Sequence, residues 1–409
     1  MRLTNLTMRY FIYILLICTA FVSCDISDND VDPANSFLKI YDNNTFDADF
    51  TPIDVQQTSD GGYLVLGASK LDNSLFNGVY LMKVDETGTF VSEQNLSEQF
   101  ISPAGELMKL NNNYYFMAMT ETDWNAFLFV ANDSGNVATP IPLGANYPLS
   151  ATLVDNELIY SNYNNGNQQI QISRAIIGEN GSVGNFQGQS FSIGEGEDGA
   201  IEEIILDHFT RTNRKFPFFV GKTSNNLYFY NGFYNFTFST VFVDITDNEP
   251  VGQIQGTRET AGLSSAVHLS GNEFAISRFE DGDNFIVPQT TVNVTSLTES
   301  SVNITGNPFP ELIDDAPVKL KQLEIDGRFV LLYGSTTRSG QIILLAYSPD
   351  TQELLGTKYL GFSNPYRFAS FNLTDDNGLI VLGSTSVAGR FERFCLFKLS
   401  TEELAEFTN

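Results

Sequence analysis

The chain of 409 residues carries 22 Lys and Arg against 49 Asp and Glu, a formal charge of −27. A surface this acidic repels phosphate backbones and sets the protein against nucleic acid as a partner. With 34 Phe, 17 Tyr, 14 Pro and 42% apolar residues, the composition supports a packed body and favours strands over helices.

At the N-terminus, Arg2 and Arg9 precede an apolar run over 10–22, too short for a bilayer span and of the form of a secretory signal. The run ends in Phe21-Val22-Ser23-Cys24, which resembles a bacterial lipobox, with Phe21 where that motif usually has Leu. The resemblance implies cleavage before Cys24 and lipidation of its thiol, palmitate being among the acyl chains, and several chains on one residue hold a protein on a membrane durably. Residues 1–23 are therefore expected to be a lipoprotein signal peptide. Residues 24–36, with Asp25, Asp28, Asp30 and Asp32 ahead of Pro33, are expected to be a disordered acidic tether. They resemble the stretch behind the lipidated cysteine of surface-exposed lipoproteins in the Bacteroidetes. Their Asp/Asn run lacks the Gly and closing Glu of a calcium loop, so it reads as a spacer. With Cys18 removed and Cys24 given to lipid, Cys395 has no disulfide partner, and within Phe394-Cys395-Leu396-Phe397 it reads as a small buried hydrophobe.

Beyond the tether one unit recurs. Asp60-Gly61-Gly62-Tyr63-Leu64-Val65-Leu66-Gly67 near the start has a near-copy in Asp376-Asn377-Gly378-Leu379-Ile380-Val381-Leu382-Gly383 at the end. Apolar strands following a turn centre on Leu64, Tyr115, Leu158, Phe219, Phe274, Phe329 and Leu379, at intervals of 43 to 61 residues, close to the length of a four-stranded propeller blade. Each unit reads as an inner strand, a turn, a second strand, a polar loop, a third strand, a turn and an outer strand. The Asp-Gly and Asn-Gly pairs suit the tight hairpins, because they accept positive φ. The fourth unit parses least well, since Tyr228-Phe229-Tyr230-Asn231-Gly232-Phe233-Tyr234 fits either its third strand or an inserted hairpin. The last unit lacks an outer strand, while Phe37-Leu38-Lys39-Ile40-Tyr41 stands alone before the first. The expectation is an all-β, seven-bladed β-propeller over 37–409, with six or eight blades as the neighbouring counts, its last blade completed by the N-terminal strand. The repeat is similar to those of secreted propeller proteins of the Bacteroidetes, a resemblance that carries a fold and no site.

In such a ring the second-to-third strand loops and the interblade loops share one face, where ligands are received. Those loops carry Asp72, Phe76, Glu121, Asp123, Trp124, Tyr163, Glu280, Asp281, Asp283, Phe285 and Phe391, a mixture suited to stacking on sugar rings or docking a protein loop. Trp124, the only Trp, with Asp123, Phe76, Tyr163 and Phe391, forms the expected ligand-contact set. His208 and His268 are expected on innermost strands as structural or channel-lining residues. The sequence calls for no catalytic residues, metal or cofactor: no serine elbow, paired cysteines or His-Glu-x-x-His occurs. The reading is a non-catalytic binding or scaffold lipoprotein for a protein or glycan, lipid-anchored at the outer membrane on the cell surface or its periplasmic leaflet. The alternative is a polysaccharide hydrolase or lyase built on carboxylates that the sequence cannot pair.

Overall fold

The computed structural model describes residues 34–41, 49–72, 74–194, 200–386 and 391–409. The signal peptide, Cys24 and most of the tether lie outside them. Blade 1 comprises Phe50–Gln57, Tyr63–Lys70, Asn77–Val84 and Phe90–Asn95, and blade 2 comprises Phe100–Leu110, Asn113–Thr120, Asn125–Ala131 and Ile141–Asn146. Blade 3 is Pro148–Val154, Glu157–Asn164, Gln169–Ile177 and Val183–Ser192, and blade 4 is Phe219–Lys222, Tyr228–Tyr234, Thr237–Val243 and Pro250–Gln255. Blade 5 is Ala261–Ser270, Glu273–Glu280, Asp283–Thr291 and the short Asn307–Pro308, and blade 6 is Lys319–Ile325, Arg328–Thr336, Ile342–Tyr347 and Leu354–Leu360. Blade 7 is Tyr366–Leu373, Leu379–Ser386 and Glu392–Leu399, finished by the N-terminal strand Phe37–Ile40. The described residues thus form a seven-bladed β-propeller.

Closure runs in register, Phe37 opposite Lys398 and Ile40 opposite Cys395. It continues in the Tyr41 amide donating to the Phe394 carbonyl at 2.9 Å. Buried apolar residues gather into seven clusters, and each interface between neighbouring blades holds one. Second and third strands are therefore covered on both faces and read as unbroken apolar runs, whereas the outer strand Phe90–Asn95 alternates between exposed and half-buried positions. Gly67 shows how tightly the blades meet, since a Cβ there would lie 2.2 Å from Cζ of Phe394 on blade 7.

The hairpins between first and second strands use the expected residues: Asn111 and Asn112 have φ of 50° and 60°, Asp326 and Gly327 of 50° and 74°. In blades 1 and 7 a buried lysine fixes this turn. Lys83 Nζ donates to Thr58 Oγ1 at 2.5 Å and Asp60 Oδ1 at 2.7 Å, and Lys398 Nζ donates to Thr374 Oγ1 and Asp376 Oδ1, both at 2.5 Å.

Three expectations are corrected. Phe219 lies on the inner strand of blade 4, and Tyr228–Tyr234 is that blade's second strand rather than its third strand or an insertion. The frame slips because residues 193–218, between blades 3 and 4, hold a helix, Ala200–Phe209. His208 is on that helix and not on an innermost strand, while His268 is on the inner strand of blade 5 as expected. The tail after Glu392–Leu399 is also helical, Thr401–Thr408, with Ser400 as N-cap accepting from the Glu403 amide. Its Leu404 and Phe407 are buried in the cluster between blades 6 and 7.

Candidate functional site

Antiparallel order places the second-to-third loops and the interblade connections at one end of the ring, here the upper face, and the first-to-second hairpins at the other. The inner strands surround a channel whose cavity of about 680 Å³ is lined by Glu106, Thr152, Phe219, Ser265, Lys319 and Lys321 among others. Glu106 of blade 2 reaches across to Lys319 of blade 6 at 2.6 Å. Lys321 Nζ donates to Asn372 Oδ1 at 2.6 Å. Asp54, wholly buried, accepts from the Val55 and Leu107 amides, both at 2.9 Å, and from the Ser370 hydroxyl at 2.5 Å. Enclosure by the channel wall would raise the Glu106 pKa, but the charges of Lys319 and Lys321 overcome this and hold it down to about 2. Asp54 and Glu106 are thus both engaged by donors, and Glu106 stays ionised at neutral pH.

Residues 200–218 of the connection between blades 3 and 4 lie across the upper mouth as a strap. At one end the Arg211 amide donates to the Leu75 carbonyl of blade 1 at 2.7 Å. At the other, Arg214 pairs with Asp315, between blades 5 and 6, at 3.1 Å, and lies over the rings of Phe216 and Phe279. Under the strap is a second cavity of about 210 Å³, bounded by Thr51, Asn77, Ser102, Leu149, His208 and Lys215. His208 Nδ1 accepts from the Phe216 amide at 2.9 Å. Burial, assisted by the charge of Lys215, lowers its pKa to about 3, so the ring is a neutral structural acceptor. Lys215 Nζ donates to the Thr210 carbonyl at 2.6 Å, satisfying the end of the strap helix. Among the described residues no three His, Cys, Asp or Glu side chains gather as metal ligands, and no helix is long and apolar enough to cross a membrane.

The expected ligand-contact residues fall into two kinds. Trp124, 38% exposed, stacks on Tyr147 with ring centroids 5.5 Å apart and planes 15° apart. Tyr147 in turn meets Phe209 of the strap at 5.4 Å. Both members of the stack have left-handed backbones, φ 53° at Trp124 and 44° at Tyr147, a costly conformation for bulky residues and one concentrated at functional sites. Asp123 is exposed beside the stack, and its carbonyl accepts from Asn146 Nδ2 at 3.1 Å. Phe76 is half-buried against the cluster beneath the strap. Tyr163 is a correction: it belongs to the strand Glu157–Asn164, not to a loop, and is fully buried, so it supports Tyr147 from below and cannot meet a ligand. Phe391 is half-buried at the edge of blade 7, away from the blade 2 stack. The sequence reading passed over Arg211, Arg214 and Lys215, although 211–215 is the densest basic stretch of the chain.

No family model and no curated relative matches this chain. Solved structures similar to it include the Dos1 propeller, at 10% identity and TM-score 0.47, covering 89% of this chain and 95% of that one. The β-propeller domain of the Trilobed protease from Pyrococcus furiosus is similar at 10% identity and TM-score 0.44, covering 86% of this chain and 95% of that domain. Prolyl oligopeptidase B from Galerina marginata, in its apo form, is similar at 9% identity and TM-score 0.40, over 82% of this chain and 47% of the enzyme.

Proposed function

We propose that this protein is an outer-membrane lipoprotein, anchored through Cys24, whose propeller is a non-catalytic receptor that binds a glycan on its upper face. The observation that carries the reading is Trp124, an exposed ring backed by the buried Tyr147 in a stack held by two left-handed backbones and braced by Phe209. Amide groups of Asn125 and Asn146 beside it, 3.1 Å apart, are the polar neighbours a sugar ring uses while its apolar face stacks. Asp54 and Glu106 are tied up as acceptors, and Glu106, held down to about 2, is a poor proton donor for glycoside cleavage.

The full chain, extracted in detergent, should retain a subset of glycans on an array and lose them on Trp124→Ala with an unchanged melting temperature. Failure to retain any glycan, with Trp124→Ala leaving protein partners in a pull-down unchanged, would overturn the reading. Turnover of a bound polymer abolished by one carboxylate substitution would overturn its non-catalytic part. Cys24→Ser should end palmitate incorporation and release the chain from the membrane fraction.

A further inference from the structure

Beside the stack the upper face holds a pocket lined by two cations and one carboxylate, in a chain that is strongly acidic overall. It measures about 560 Å³ and is lined by Lys70, Leu71, Asp72, Ser74, Leu75 and Arg211. Neither Lys70 nor Arg211 makes an ion pair among the described residues. Arg211 Nη1 is buried and has no hydrogen-bond partner. A buried guanidinium N–H without an acceptor is costly, and a second unpaired cation in the same pocket adds repulsion. The acids nearby do not relieve this: Asp72 lines the pocket without pairing to either cation, and Glu121 accepts from Ser74 Oγ at 2.8 Å. Arg211 also lines the pocket with Lys70, and an anionic group entering it would neutralise the two cations together, arginine gripping carboxylate or sulfate oxygens in pairs.

Placement ties this pocket to the aromatic stack. Ser74 Oγ bonds to Glu121 in the loop that carries Trp124, and the adjacent Leu75 carbonyl accepts from Arg211. Arg211 follows closely on Phe209, which braces Tyr147. The aromatic surface on blade 2 and the cationic pocket on blade 1 therefore flank one pair of loops, and an occupant that reaches both is extended over more than one ring.

We propose that the ligand is an acidic polysaccharide, whose carboxylate or sulfate groups enter the Lys70–Arg211 pocket while a neighbouring sugar ring stacks on Trp124. This deepens the glycan-receptor reading above and rests on it. The long-range field of a −27 chain opposes any polyanion, so recognition depends on these two cations at short range and weakens as salt screens them.

Binding of the detergent-extracted full chain to polygalacturonate, chondroitin sulfate, desulfated chondroitin and dextran, at two salt concentrations, tests the proposal. The acidic polymers should bind and dextran should not. Arg211→Gln and Lys70→Met should each weaken binding by about tenfold, Arg211→Lys should lose less, and melting temperatures should not fall. Preference between sulfated and desulfated chondroitin tells sulfate from carboxylate, either result supporting the assignment. Dextran binding as tightly, with Arg211→Gln silent and Trp124→Ala damaging, would overturn the acidic ligand and leave the glycan reading standing. Equal competition by poly-glutamate would overturn the saccharide, and binding of no polymer would overturn both.

Discussion

At the scale of single residues, a few buried charges determine where the propeller is held and how it responds to pH. Lys398 has no exposed side-chain area and its partner Asp376 is 37% exposed, so the two ends of the bridge are unequal. Lys398→Met leaves an aspartate that water can still reach, at a cost of about 1–2 kcal/mol. Asp376→Ala strands a buried ammonium and should cost more, about 3 kcal/mol. Urea unfolding of the two variants measures the order, and a reversed order would show that the lysine is not the constrained partner. Glu106 makes the second case. Its pKa falls from 4.5 to about 2 in the folded state, so the folded protein binds fewer protons than the unfolded one between those values. The stability it contributes is complete above pH 4.5 and is lost as pH falls toward 2. Glu106→Gln should flatten the fall of the melting temperature across that window while changing little of its slope above it; an unchanged acid slope would sink the assignment. These residues also mark the limits of sequence reading. The Thr58-x-Asp60 turn and Lys83 are visible in the sequence, yet their bond spans a strand pairing. Glu106 and Lys319 meet across the ring, a separation that no local pattern encodes.

At the scale of elements, the strands were legible because burial on both faces leaves runs such as Leu379-Ile380-Val381-Leu382 with nothing polar to interrupt them. The two α-helices among the described residues were not. The strap helix has Ile201, Ile205 and Phe209 buried at four-residue spacing, a period of 3.6 that the strand repeat on either side obscured. The missed strap then displaced the fourth unit and put His208 on the wrong element. Tyr163 was misplaced for a simpler reason: its strand runs on to Asn164, beyond the apolar run Leu158-Ile159-Tyr160, and the side chain enters the core. The C-terminal helix carries the element-scale prediction. Phe407 is 3% exposed in the cluster between blades 6 and 7, and a Cβ on Gly356 would lie 2.7 Å from its carbonyl oxygen and 2.8 Å from its Cα, so the outer strand of blade 6 is shaped to let the helix backbone approach. Phe407→Ala should cost about 3–4 kcal/mol, read as a lower urea midpoint at constant slope. A loss below about 1 kcal/mol would mean that the helix rides on the ring instead of being part of its core.

At the scale of the whole molecule, the seven interblade clusters make stability a property of the closed ring rather than of any blade. Six interfaces follow from chain order, and the seventh joins blade 7 to blade 1, the two ends of the repeat. Phe50, Tyr80 and Phe394 meet there at 4.9, 5.0 and 5.9 Å, and Asp54 and Ser370 tie the inner strands of the same two blades. The strand Phe37–Ile40 covers the outer edge of blade 7, and Phe37 and Tyr41 pack into that interface, with Tyr41 donating to the Gly88 carbonyl of blade 1 at 2.8 Å. One short strand therefore fills two places, as the fourth strand of the last blade and as a cross-tie to the first. Deleting Phe37–Tyr41 should cost several kcal/mol, from the lost ladder and the apolar area of two aromatic rings. It should also expose the edge of Glu392–Leu399, so the deletion variant should self-associate as well as melt lower. A combined readout of melting temperature and sedimentation separates the two effects. A lower melting temperature without association would show the edge covered by another segment, and an unchanged melting temperature would mean that the blade 7–blade 1 interface holds the ring without its N-terminal strand.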